Sequence, residues 1–225
     1  MNGETVACIV PTLNEASGIL EHLRYHHKHF NFTTILVVDG GSSDGTLEKV
    51  QSSELSIETT RISQGHRARQ LKEGVRRTSA SYLLFLHADS YLPRSFSVHD
   101  LFSISADWGW FDCTLDDDGM IYRAIGTMIS LRSALFSSPT GDQAQWVKRT
   151  LLETIGGIPD QPLMEDVELS RRLRQIQRGH RIAKPVRTSA RRWKQNGPYR
   201  TIITMWGLKV GYLLGLSPET LARYY

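Results

Sequence analysis

Three carboxylates follow closely on apolar runs in the first ninety residues. Glu15 comes soon after Val6-Ala7-Cys8-Ile9-Val10-Pro11, Asp39 directly after Thr34-Ile35-Leu36-Val37-Val38, and Asp89 shortly after Tyr82-Leu83-Leu84-Phe85-Leu86. A charge beside a core is costly unless water, a cation or hydrogen-bond donors meet it. Hard oxygen ligands of this kind suit Mg2+ or Mn2+. Arg67 and Arg69 add guanidinium groups that could meet phosphate oxygens. Together these residues outline a site for a nucleoside diphosphate. Neither G-x-G-x-x-G nor G-x-x-x-x-G-K-[ST] occurs, so a metal and arginines would hold the phosphates in place of a glycine cradle. Two of these acids also have a plainer role, Asp89 as a turn residue and Asp39 in an Asx-turn into Gly40-Gly41, and Asp166, further along the chain, suits a helix cap.

The elements that would position these groups alternate between short apolar runs and helical patterns. Val6–Val10 reads as a strand ended by Pro11, and Asn14 as the cap of a helix with Ile19, Leu20 and Leu23 inward. Thr34–Val38 is a second strand, Thr46–Val50 begins a helix, and Ser56–Thr60 fits a third strand. Gln64–Ser79 reads as a basic helix, and Tyr82–Leu86 as a fourth strand buried on both faces. This β-α-β-α-β-α-β order predicts an α/β fold with a mostly parallel sheet and ligands at the C-terminal ends of its strands.

The pattern then changes. Asp107–Leu115 alternates, with Trp108 and Trp110 opposite Phe111, Cys113 and Leu115, as in a half-exposed antiparallel strand. A helix follows Gly119, a strand fits Ala144–Lys148, and Arg149–Ile155 is a helix stopped by Gly156-Gly157. Glu165-Asp166 lead into another helix, Arg181–Ser189 reads as a late strand, and Ala190–Lys194 is a basic cluster. From Pro198 a helix carries Ile202, Ile203, Met205, Trp206, Leu208, Val210 and Tyr212, interrupted by Lys209. The plainer expectation packs it across the core; its Trp, Tyr and nearby basic residues also suit a membrane interface.

Composition bounds the reading. The 225 residues carry 27 basic and 23 acidic side chains, a net charge of +4 that suits an anionic substrate without demanding nucleic acid. Cys8 and Cys113, the only cysteines, are expected as buried free thiols and are too few for a cysteine zinc site. His26, His27 and His29 read as surface residues at a helix end. No apolar run approaches a membrane span and no signal pattern opens the chain. A cytoplasmic protein is expected, with peripheral contact to the inner face of a membrane through the C-terminal helix as an option.

The sequence resembles the GT-A fold glycosyltransferases of family 2. Val6–Glu15, Val37–Thr46, His87-Ala88-Asp89, Gly156-Gly157-Ile158-Pro159, Glu165-Asp166 and Arg192-Trp193 carry the likeness in order over nearly the whole chain. Gly141–Ala144, Leu163–Glu168 and Thr188–Trp193 look more narrowly like the radical-SAM/selenodomain-associated transferases. The resemblance implies one domain: a nucleotide-binding half over 1–93, an acceptor and catalytic half with a smaller antiparallel part over 94–195, and an amphipathic helix over 196–225.

It also implies roles. Pro11, Thr12, Glu15 and Asp39 would hold the base and ribose of a UDP- or GDP-sugar, and Arg69, before Gln70, would face the nucleotide. Asp89 would bind Mg2+ or Mn2+ on the diphosphate, with His87 beside it. Asp166, next to Glu165, would be the general base. Arg191, Arg192 and Trp193 would lie near the pyrophosphate, and Asp142, Gln143 and Gly157 near the acceptor or sugar. Two positions depart from the family pattern. His87 stands where the first Asp of Asp-x-Asp is expected, which removes a negative charge, and Ser189 replaces a Gln or Arg typical of processive enzymes.

The expected function is therefore inverting sugar transfer to the hydroxyl of a glycan, lipid-linked or small-molecule acceptor. Two alternatives remain at this level: a protein that binds a nucleotide-sugar or a partner without turnover, and a sugar-phosphate nucleotidyltransferase. The latter would want a Gly-rich, Arg-containing loop where Pro11–Glu15 stands. Donor, acceptor, metal and oligomeric state are not legible.

Overall fold

Residues 3–63 and 66–225 are described by a computed structural model of the chain. Gln64, the expected first residue of the basic helix, lies outside the described residues. The first half runs β1 Val6–Thr12, α1 Ile19–His29, β2 Thr34–Asp39, α2 Thr46–Gln51, β3 Glu58–Arg61, α3 Arg67–Arg77, β4 Tyr82–Phe85 and β5 Ser90–Tyr91. The second runs α4 Asp100–Ser103, β6 Trp108–Leu115, α5 Met120–Phe136, β7 Trp146–Lys148, α6 Arg149–Thr154, α7 Glu165–Arg174, β8 His180–Thr188, α8 Arg191–Asn196, α9 Pro198–Leu213 and α10 Pro218–Ala222. One eight-stranded sheet has the order β3-β2-β1-β4-β7-β6-β8-β5. The first four strands are parallel, β7 is antiparallel to both neighbours, β6 and β8 are parallel, and β5 is antiparallel to β8. This is the expected α/β fold with a smaller antiparallel part, formed where β7 pairs with β4 and β6 and where β5 pairs with β8.

Two apolar layers sandwich the sheet. Residues alternate along each buried strand, so Cys8 and Val10 join Leu23 of α1 on one face while Ala7 and Ile9 meet Leu71 of α3 on the other. Cys8 and Cys113 are buried free thiols, as expected.

Several elements differ from the sequence-based expectation, each for a physical reason. Pro11 does not end β1, which continues through Thr12. β4 pairs with β1 only as far as Ile9, so Pro11 has a strand on one side only and its missing N–H breaks no continuous ladder. Asn14 is not a helix cap. It takes a left-handed φ of 55°, its Oδ1 accepts from the Ser43 N–H, and α1 begins only at Ile19. α3 ends at Arg77, before Ser79.

β6 is not half-exposed. α7 covers its Trp108/Trp110 face, placing Leu169 and Leu173 in the same cluster, and both tryptophans are buried. It is also parallel to β8, with antiparallel pairing confined to β7. His26 is buried rather than at the surface, as is His22, whereas His27 is exposed. His26 accepts the Leu92 N–H at Nε2 and bonds the His22 carbonyl through Nδ1, and His22 Nε2 bonds the Ser90 carbonyl. Burial lowers His26 to about 4 and His22 well below its ordinary value, so both are neutral clamps on the segment after Asp89. The C-terminal helix does not cross the sheet: in α9 only Thr201, Leu208 and Gly211 are buried, and Ile202 packs with α5 and α8. Among the described residues no helix is long and apolar enough to cross a membrane.

Gly109 shows how closely β6 is packed. A Cβ there would lie within 2.9 Å of the Trp146 ring and closer still to the His180 carbonyl oxygen. Gly109→Ala is expected to cost about 1–3 kcal/mol through overpacking, read as a lower midpoint in thermal or urea unfolding. An unchanged midpoint would show that β6 and β8 part easily at this point.

Candidate functional site

The C-terminal ends of β1, β2 and β4 carry the first group of predicted residues. Thr12 and Asp39 are register partners at the tips of β1 and β2. Gln70, on α3, locks these tips by donating to the Thr12 and Val38 carbonyls at 2.7 and 2.8 Å. Asp39 is buried, and its Oδ2 accepts from the Gly41 and Ser42 N–H groups and from Arg61. Burial alone would raise its pKa; bonds from Ser42, Arg61 and Gly41 outweigh that and hold it below the ordinary value. Its Oδ1 is buried with no partner among the described residues.

A cavity of about 470 Å3 opens beside this rim, lined by His87, Asp89, Asp142, Glu165, Asp166, Arg191, Arg192 and Trp193 among others. Eight predicted site residues from four separate segments thus meet. Glu15 joins them through an ion pair with Arg191 at 3.1 Å. Pro11, Thr12 and Asp39 lie outside the cavity lining, at or near the strand tips.

Three other predicted residues stand apart. Arg69 points away along α3 and shares Asp160 with His66 and Lys72. Arg67, two residues earlier, lines the cavity and is paired with Glu165. Gln143 is fully buried. Its Oε1 accepts from Ser133 Oγ and the Thr140 N–H, and its Nε2 donates to the Phe111 carbonyl, so it anchors the 3-10 turn Gly141–Gln143 and has no surface for an acceptor. Gly157 has a φ of 83° and donates its N–H to the Leu152 carbonyl, closing the end of α6 outside the cavity.

The carboxylates are crowded. Burial lifts Asp89 to about 6, with Asp142 and Glu15 adding repulsion and Arg191 only partly offsetting it. Asp142 is also raised by burial, with Arg67, Arg192 and Arg132 acting in the opposite sense. His87 lies 3.6 Å from Asp142, but burial first and Arg67 second push it down to about 3, so it is neutral and its Nε2 has no partner among the described residues. Asp166 sits in the first turn of α7, with Oδ2 accepting the Gly141 N–H at 2.8 Å and Oδ1 its neighbour Val167 N–H at 2.7 Å. Met164, just before α7, holds a left-handed φ of 63°, a conformation costing on the order of 1–3 kcal/mol.

A divalent cation fits this chemistry. Among the described residues no three His, Cys, Asp or Glu side chains converge to hold one alone. Mg2+ commonly takes one or two carboxylates and completes its shell with phosphate oxygens and water. Asp89, with its repelled charge, and the unpartnered His87 Nε2 are the groups that would meet it.

Two charged cavity residues were not anticipated as site residues. Arg132 of α5 and Lys209 of α9 both line it. The signal was present: each is a lone cation whose neighbours three and four positions away are all apolar or aromatic.

Comparisons with known proteins bear on the fold. Residues 7–103 match the sequence profile of Glycosyl transferase family 2, and the fold is the GT-A fold. No curated protein matches the chain. Staphylococcus aureus TarS 1-349, solved in complex with UDP-GlcNAc, is 16% identical, with 82% of this chain and 58% of that one covered and a TM-score of 0.66. The mannosyltransferase PcManGT from Pyrobaculum calidifontis, solved with GDP-Man and Mn2+, is 22% identical, with 84% and 57% covered and a TM-score of 0.61. The chain spans about 60% of the length of the TarS 1-349 structures.

Asp89 also makes a stability prediction. Its folded value of about 6 lies above the ordinary 3.8, so the folded state binds the proton more tightly. The penalty is absent below 3.8, where the group is protonated in both states, and grows as pH rises towards 6. Asp89→Asn in EDTA is therefore expected to be more stable than the parent at pH 7 by on the order of 1–3 kcal/mol, and equal to it near pH 3. Urea unfolding at the two pH values measures this; an Asn variant that is less stable at pH 7 would mean the carboxylate is well satisfied without a cation.

Proposed function

We propose that this chain is an inverting glycosyltransferase that moves a sugar from a nucleotide-diphospho-sugar to an acceptor hydroxyl. One observation carries the reading: Asp89, just beyond β4, and Asp166, at the start of α7, open onto the same cavity with Arg191 and Arg192. A crowded carboxylate and two guanidiniums suit a diphosphate, and a second carboxylate in the same space suits a hydroxyl. The segments Gly141–Ala144, Leu163–Glu168 and Thr188–Trp193, which carry the narrower likeness to radical-SAM/selenodomain-associated transferases, all contribute to the cavity wall. UDP-GlcNAc and GDP-Man bound to proteins of similar fold support a nucleotide-sugar donor, with either base open.

In this reading Asp39 and Thr12 hold the nucleoside end, where the buried Asp39 Oδ1 still lacks a donor. Asp89 and His87 would hold Mg2+ or Mn2+, which supplies positive charge to the diphosphate. Arg191 and Arg192 neutralise the negative charge that the leaving group gains as its bond to the anomeric carbon breaks. Asp166 takes the acceptor hydroxyl proton as the oxygen forms its bond to that carbon, and a single displacement inverts the centre. The Gly141 and Val167 N–H groups fix the carboxylate orientation for that transfer.

General-base help is typically worth about 10²–10⁴-fold, so Asp166→Asn is expected to lower kcat by that factor with donor binding intact. Calorimetric titration of UDP and then GDP, with Mn2+ and with EDTA, identifies the nucleotide. Binding of one of them that weakens in EDTA is the expected result. Absence of binding under every condition would overturn the proposal.

A further inference from the structure

The wall of the cavity furthest in sequence from the nucleotide-binding rim is apolar and basic at once. α5 contributes Ile125, Met128 and Ile129, and α9 contributes Ile202, Met205 and Trp206. Met128 and Trp206 line the cavity yet are 55% and 54% exposed, so the apolar lining runs out onto the surface. There it continues as Leu131 and Leu135 of α5 and Ile203, Val210 and Leu213 of α9, all exposed. Scattered exposed apolar residues are ordinary, but a continuous strip leading into a cavity marks a binding surface.

Charge on this wall has one sign. No Asp or Glu occurs between residues 119 and 141 or between 197 and 217, whereas Arg123, Arg132, Arg200 and Lys209 do. Arg132 donates only to Ser133 Oγ and the Ser138 carbonyl, and its buried Nε has no partner among the described residues. The Lys209 side chain makes no ion pair or hydrogen bond among the described residues. Burial and then Arg132 lower Lys209 to about 8, with Asp166 the carboxylate that acts on it in the opposite sense. In the proposed reading the diphosphate of the donor meets Arg191, Arg192 and the Asp89 site, which leaves these two cations over.

We infer that the acceptor is an anionic amphiphile: its charged headgroup sits between Arg132 and Lys209, and its apolar part lies along the strip formed by α5 and α9. This rests on the glycosyl-transfer reading of the same cavity. The headgroup charge completes the two unpartnered cations and brings a neighbouring hydroxyl to Asp166. The apolar part covers the exposed faces of the two helices, and neither helix carries an acid of its own to oppose the anion, although Asp142 and Asp166 act on Arg132 from the opposite side of the cavity.

Dodecyl phosphate below its micellar concentration tests the inference, followed by tryptophan fluorescence. Dodecanol supplies the tail alone and inorganic phosphate the headgroup alone. Dodecyl phosphate is expected to bind at least about tenfold more tightly than either. Arg132→Gln and Lys209→Gln are each expected to weaken it by about tenfold while UDP and GDP affinities, titrated in parallel, stay within about twofold. Equal binding of dodecanol or of free phosphate, no binding of dodecyl phosphate, or folded Gln variants with parental affinity would overturn it. The comparison of the three probes on the parent protein decides the matter even where a variant fails to fold. Loss of nucleotide binding with amphiphile binding intact would overturn the glycosyl-transfer reading instead.

Discussion

The cavity depends on one ion pair, between a half-buried arginine and a buried glutamate. Arg67 opens α3, inside the segment 7–103 that matches the family profile, and Glu165 opens α7, far beyond it. Their side chains meet at the cavity wall, and Gly141 is pressed flush against them: a Cβ there would lie 2.7 Å from Arg67 Cζ. Removing one partner of such a pair leaves an uncompensated buried charge, typically about 3–5 kcal/mol. The pair therefore ties two distant helices at one point. Because Asp166 follows Glu165 directly and accepts from Gly141, the same contact sets where Asp166 stands.

Around that point the molecule tolerates unfavourable electrostatics. Burial raises Asp89, Asp142 and Glu165 and lowers His87, Arg132, Arg192 and Lys209. Groups disturbed in both directions within one cavity are what a site for a charged ligand requires, since the ligand supplies the missing counter-charges. The first turn of α7 offsets part of the cost, because backbone N–H groups at a helix start favour the carboxylates of Glu165 and Asp166. The left-handed Met164 is the backbone counterpart of that strain. Behind Asp89, the neutral pair His22 and His26 holds the chain from Ser90 to Leu92, so the acid is presented from a fixed segment.

Much of this was legible in the residues. Short apolar runs of β-branched and aliphatic residues, each followed by an acid or a turn, located the parallel strands, because a strand buried on both faces leaves no other pattern. The same logic misjudged β6. Its alternation is real, but a sequence does not reveal that α7 will cover the Trp108/Trp110 face. His26 and Gln143 were misread for a related reason. A polar side chain is free to be buried when a particular backbone group, here Leu92 N–H or the Phe111 carbonyl, comes from elsewhere to satisfy it.

Sequence alone determined which groups could take part: acids at strand ends, arginines able to meet an anion, and the order of strands and helices that gathers them on one rim. These follow from local rules of burial and chain direction. Tertiary structure decided which members of that set share a cavity. It separated Arg67 from Arg69, which differ only in the direction each leaves α3, and it withdrew Gln143 and Gly157 into structural roles. It also brought Arg132 and Lys209, isolated on two apolar helices, to the wall beside Asp166. Contacts between residues far apart along the chain depend on how whole elements pack, and no local pattern encodes the distance between two helices.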